Sequence, residues 1–220
     1  MWYKVKRIMM RPNGVEKQVR PKTRLPSAYQ EVEWIQSSWS QYIDTWVTAP
    51  TNYLKTYMKI NPQTVSGWSQ DYRAGWAYNW NRANVHYFWY GKYKLYAGFW
   101  GWDYNTWIGV VANTLYEVTM TANNGSWSVN MNGSTASWTY SWTVALNKTF
   151  FLFRNNENWS PWAGWTFKIY SFQMTTSSWL VRDFVPCYRK SDSVIWMFDT
   201  VNKVFYTNSW TWTFTKWPDA

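Results

Sequence analysis

The chain has 220 residues, a formal net charge of +10, 23% aromatic residues and only 15% charged ones. That is enough chain for one domain with its own core, and too aromatic and too sparsely charged for a disordered tail or a coiled coil. One cysteine, Cys187, and one histidine, His86, exclude a disulfide framework, a CxxC metal knuckle and a His-rich metal centre, and no run approaches the ~20 apolar residues of a membrane span.

Residues 1–24 carry Lys4, Lys6, Arg7, Arg11, Lys17, Arg20, Lys22 and Arg24 against Glu16 alone, a net +7, so the remaining chain is nearly balanced. Strand-like stretches over 3–10 and 15–20 flank Pro12-Asn13-Gly14, which predicts a basic β-hairpin, and Pro21 and Pro26 mark its boundary. The division expected is an appendage over 1–24 and a domain over 25–220. A charged edge hairpin protects against edge-to-edge aggregation; the same charge also suits an arm that docks on a polyanion or a partner protein. The opening residues lack an apolar h-region, so a classical secretory signal is not expected there.

From Tyr29 onward, period-2 runs recur and none of period 3.6 extends beyond two turns, which predicts an all-β domain. Residues 117–121 alternate, Asn123-Asn124-Gly125 supplies a turn, and 128–131 alternate back towards Asn132-Gly133, a hairpin. Residues 150–153 are apolar on both faces, as in an internal strand, and along 167–174 the alternation places Tyr170, Phe172 and Met174 on one face. Many short strands at this spacing argue for a β-sandwich or jelly roll.

Twenty-two Trp stand beside ten Gly, where average usage would give about 15 Gly. Many of these Trp sit among Ser, Thr, Asn and Asp, as in 37–40, 44–46, 125–128, 158–165 and 208–213, the surroundings of turn glycines. The expectation is that most are glycine, encoded by UGA in a genetic code that reads this codon as glycine. Trp34, in the apolar alternation Val32-Glu33-Trp34-Ile35, is the best case for a genuine tryptophan. In a truly Trp-rich chain the rings would be core or sugar-stacking platforms.

Two segments carry a likeness. Leu25-Pro26 through Glu31-Val32-Glu33-Trp34-Ile35 to Tyr42-Ile43-Asp44-Thr45-Trp46 resembles the opening strands of laminin-G-like domains of the concanavalin A-like lectin/glucanase superfamily. Val181-Arg182-Asp183-Phe184-Val185-Pro186-Cys187 through Ile195-Trp196-Met197-Phe198-Asp199 to Phe205-Tyr206-Thr207-Asn208 resembles their closing segment in bacterial and phage surface proteins. The resemblance covers roughly 25–217. It implies glycine at the places of Trp39, Trp46, Trp196, Trp210 and Trp212, and an aromatic at Trp34. It also implies a jelly roll whose concave face holds sugar in lectin members and whose rim holds calcium in laminin-type ones.

Glucanases of this superfamily use a Glu-x-Asp-x-x-Glu strand, which this sequence lacks; Glu31 and Glu33 lie in the opening segment, so no hydrolase is expected. His86 has no nucleophile elbow to serve, and Cys187, between Pro186 and Tyr188, reads as a buried small hydrophobe. Arg182, Asp183, Arg189, Lys190, Asp192 and Asp199 form the richest charge cluster. Pairing of Arg182 with Asp199, or of Arg189 with Asp192, would make it a structural network, with Asp199 as a turn former.

Ligand-binding residues are expected on loops: Asp71 and Arg73, Asp103-Tyr104-Asn105 as the first choice, and Arg154 with Asn155, Asn156 and Asn158. Tyr104 would stack on a pyranose while Asp103 and Asn105 meet its hydroxyls. No cofactor is expected, and calcium only weakly, because no DxDxDG run supplies a ligand set. The functional expectation is a non-enzymatic binding or adhesion module for a glycan or surface ligand, outside a cell or on a virion. The alternative is a tail, fibre or decoration protein docked through residues 1–24. Nucleic acid is disfavoured, because the charge sits in the hairpin and no recognised motif is present.

Overall fold

The computed structural model describes residues 25–219 apart from 39, 49, 51, 66–71, 79–86, 92–93, 100–101, 140–147, 158–159, 163–165, 178 and 210–212. The basic hairpin expected over 1–24, and also Asp71 and His86, lie outside the described residues. Among the described residues eighteen strands follow one another: β1 (Tyr29–Gln36), β2 (Ile43–Thr48), β3 (Tyr53–Pro62), β4 (Tyr72–Tyr78), β5 (Tyr87–Gly91), β6 (Lys94–Phe99), β7 (Trp102–Gly109), β8 (Tyr116–Asn123), β9 (Ser126–Met131), β10 (Ser134–Thr139), β11 (Thr149–Leu152), β12 (Asn155–Glu157), β13 (Ser160–Trp162), β14 (Phe167–Thr176), β15 (Trp179–Arg189), β16 (Ile195–Asp199), β17 (Val204–Thr207) and β18 (Thr215–Asp219).

They form two sheets. The larger has ten strands in the order β10-β9-β8-β3-β14-β1-β15-β16-β17, with β18 along β1; the smaller has eight, β13-β12-β4-β5-β6-β7 with β2 and β11 joined through β4. Among the described residues every pairing is antiparallel except β12 on β4. The inner faces of the two sheets share one core, in which Phe172 of β14 lies 5.9 Å from Phe150 of β11 and 5.8 Å from Phe184 of β15.

Local chemistry explains the best-defined part. Asn124-Gly125 and Asn132-Gly133 both adopt positive φ (39° and 93°, 49° and 90°), as two-residue hairpin loops matching strand twist require, and they fold β8, β9 and β10 into a meander. Period-2 patterning then sends Val118, Met120, Val129 and Met131 into the core. Strand β11 is buried along its whole length, which its two-sided apolar run requires.

One face assignment is corrected. Ile60 opposes Ile169 while the next residue of β3, Lys59, opposes Ser171, so Tyr170 is the extra residue of a β-bulge. The bulge shifts the pattern by one: Phe167 and Ile169 point inward before it, Phe172 and Met174 after it. Tyr170 stays half-buried beside the Asn61 side chain instead of sharing the core face, and burial raises its phenol pKa.

Candidate functional site

The outward face of the larger sheet presents polar residues in cross-strand rows. On β3, Leu54, Met58 and Ile60 enter the core, which leaves Lys55, Tyr57 and Lys59 facing out. Register brings Tyr57 between Thr119 of β8 and Gln173 of β14, and Lys55 between Thr121 and Thr175. These rows enclose a shallow cavity of about 150 Å³ lined by Lys55, Tyr57, Thr119, Gln173 and Thr175. Beyond Thr119 and Thr121 the face continues through Asn130 and Ser128 of β9 to Thr135 and Ser137 of β10. Hydroxyls, an amide, an ammonium and a phenol ring thus converge on one surface, groups that can meet sugar hydroxyls and stack on a pyranose.

The carboxylates beside this cavity are engaged. Glu117 lies 3.9 Å from Lys59. Asp183 accepts from Gln173 Nε2 at 3.2 Å and from Thr200 Oγ1 at 2.6 Å. The latter bond links the cavity wall to the charge cluster at the β16–β17 turn. There Asp199, fully buried, accepts from the Asp183 and Val201 amides at 3.1 and 3.0 Å and from Asn202 Nδ2 at 2.6 Å, with Arg182 Nε 3.7 Å away. Arg182 also donates to the Thr45 and Val181 carbonyls, so it ties β15 to β2 across the sandwich edge. These donors are aimed at protein acceptors, the geometry of a brace.

Arg189 grips Asp192 through two nitrogens at the β15–β16 turn. That hydrogen bonding holds the Asp192 carboxyl below the usual range, so its contribution is present above ordinary carboxylate pKa values and fades as pH falls through the lowered folded value. Both groups are at the surface, where solvent screens the effect. Lys190 Nζ donates to the Ser27 carbonyl. Cys187 is fully buried on the face of β15 opposite the core, and burial first, then Glu31, pushes its thiol up to about 12, so it carries no thiolate chemistry near neutral pH.

The residues expected on loops are placed otherwise. Asp103, Tyr104 and Asn105 lie inside β7, opposite Gly98, Ala97 and Tyr96 of β6, and Arg73 lies inside β4 opposite Trp89. Asn105 Oδ1 already accepts the Trp107 amide at 2.9 Å. Arg154, at the bend after β11, donates from Nη1 to the Ser40 carbonyl at 3.1 Å while its Nε is buried without a partner, and burial lowers its pKa; Asn155 pairs in β12 and Asn156 is buried against Thr149. The sheet-face rows escaped sequence reading because their members come from three strands more than 50 residues apart, each an ordinary outward strand residue.

No known protein family matches the sequence, and no curated protein does. Solved structures do match. A Bacteroides ovatus protein proposed to bind carbohydrate aligns over 84% of this chain and 60% of its own, with a TM-score of 0.57 and 14% identity. A heptameric SAP-like pentraxin from Limulus polyphemus aligns over 66% and 76% (TM-score 0.50, 12% identity), and mouse laminin α1 domains LG4-5 over 80% and 48% (0.50, 8%). The chain therefore spans about three fifths of the first of these and half of the last. The fold is the concanavalin A-like jelly-roll sandwich, as the resemblance implied.

Proposed function

We propose that this chain is a non-catalytic carbohydrate-binding module, acting outside a cell or on a particle surface, whose binding surface is the polar face of the larger sheet. The observation that carries the reading is the cavity among Lys55, Tyr57, Thr119, Gln173 and Thr175. It offers an aromatic ring flanked by hydrogen-bonding groups, while both acids beside it are held by Lys59, Gln173 and Thr200 instead of standing free as an acid and nucleophile pair. The fold shared with a protein proposed to bind carbohydrate is consistent with it.

A glycan array with the whole chain, Tyr57→Ala and Asp103→Ala tests this. Selective signal should fall tenfold or more in Tyr57→Ala and persist in Asp103→Ala, with no new reducing ends released from bound glycans. Loss in Asp103→Ala alone would move the site to the β7 edge; a flat array at high protein concentration, or turnover, would overturn the reading.

A further inference from the structure

Resting on that reading, we propose that the glycan is acidic, a chain bearing carboxylate or sulfate groups, and that Lys55 is its anion contact. On β3 the order Lys55-Thr56-Tyr57-Met58-Lys59 places a lysine two residues to each side of Tyr57 on the same face, their Cα atoms about 13 Å apart along the strand. The two differ. Lys59 is opposed by Glu117, directly across in the β3–β8 register and 3.9 Å away. Lys55 is exposed, lines the cavity, and has no carboxylate within salt-bridge reach among the described residues; its cross-strand neighbours are Thr121 and Thr175. Asp183, the other nearby acid, is taken by Gln173 and Thr200. The cavity therefore offers one uncompensated positive charge, next to a stacking ring and hydroxyl partners, which favours a sugar that carries an anion over a neutral one. No tryptophan lines this cavity, so its chemistry is the same whether those positions carry tryptophan or glycine.

Polygalacturonate, dextran sulfate and uncharged dextran are the probes, titrated calorimetrically into the whole chain, Lys55→Met and Lys22→Met. The control is needed because a chain of charge +10 attracts any polyanion, and Lys22→Met removes the same charge from the basic segment. Expected is binding to one or both acidic polymers that weakens about tenfold or more in Lys55→Met and less than twofold in Lys22→Met; which polymer responds tells carboxylate from sulfate. Equal weakening in both variants, or dextran bound as tightly as the acidic polymers with no effect of Lys55→Met, overturns the acidic assignment and leaves the binding module standing. No binding to any probe, together with a flat array, overturns both.

Trp46 and Trp107 adopt left-handed φ of 55° and 61°, with side chains 70% and 75% exposed. Their settings are copies. Asp44 Oδ1 accepts the Trp46 amide and Thr45 Oγ1 the Val47 amide; Asn105 Oδ1 accepts the Trp107 amide and Thr106 Oγ1 the Ile108 amide. Around each, strand pairing slips: between Asp44 and Thr48 on β11, and between Asn105 and Gly109 on β6. An Asx turn closing a bulge on a left-handed residue is a glycine position, and a bulky side chain there is strained and buries almost nothing. We infer that positions 46 and 107 are glycine in the protein its own host makes. Trp46→Gly and Trp107→Gly should each raise Tm by about 2–4 °C, with Trp→Ala at the same positions gaining less because Ala keeps the Cβ penalty. The Lys94 ammonium 4.0 Å over the Trp107 ring works against the gain at that position. Lower Tm in both glycine variants, or tryptophan at both positions in peptides of host-made protein, would refute it.

Discussion

Replacing Asp199 by Ala is expected to destabilise the fold by about 3–5 kcal/mol, the cost typical of removing one partner from a buried charged network. The carboxylate is fully buried and collects the amides of Asp183 and Val201, the Asn202 side chain and the Arg182 guanidinium. Alanine takes the shared acceptor from all four: the two amides lose their partner, Arg182 keeps the Thr45 and Val181 carbonyls and Asn202 keeps the Val181 carbonyl. Asp199→Asn retains an acceptor for the two amides and should cost about half as much. Urea unfolding checks both, and a loss under about 1 kcal/mol for Asp199→Ala would show that the brace carries little of the stability. Because Thr200 and Asp183 connect this brace to Gln173 in the cavity wall, Asp199→Ala should also weaken glycan binding in the protein that remains folded.

Phe172→Ala is expected to cost a similar 3–5 kcal/mol by another route, the lost burial of a full aromatic ring plus the cavity left behind. Phe172 is completely buried, and its ring stands between Phe150 of the smaller sheet and Phe184 of the larger, so its loss opens a gap where the two layers meet. Phe172→Leu should recover more than half of the loss. A cost below about 1.5 kcal/mol for the alanine variant would mean that the two sheets are not packed through this residue.

These residues differ in how far the chain announces them. Asn124-Gly125 and Asn132-Gly133 declare their turns because type I′ geometry needs positive φ at both positions, and the alternating Val and Met between them then fix which face is buried. The bulge at Tyr170 has no such signal: one extra residue leaves composition unchanged, yet turns every later side chain of β14 over relative to a regular strand. Residues 73 and 103–105, expected on loops, lie in strands whose mixed aromatic and polar residues give little period-2 signal, and a polar strand of that kind looks like a loop. Sheet-face sites are the hardest to foresee, since Lys55, Thr119 and Gln173 become neighbours only through long-range register. The concanavalin A-like likeness, by contrast, was legible in two segments that the structure places side by side as β1 and β15 of one sheet.

The central claim is that the outward face of β3, β8 and β14 is the binding surface, and locating a bound saccharide is its most direct test. In an NMR titration of the whole, isotope-labelled chain with the glycan that scores highest on the array, amide shifts should concentrate on Lys55, Tyr57, Thr119, Gln173 and Thr175. Shifts confined to β7 and the bend at Arg154, with the sheet face unmoved under saturating ligand, would contradict it.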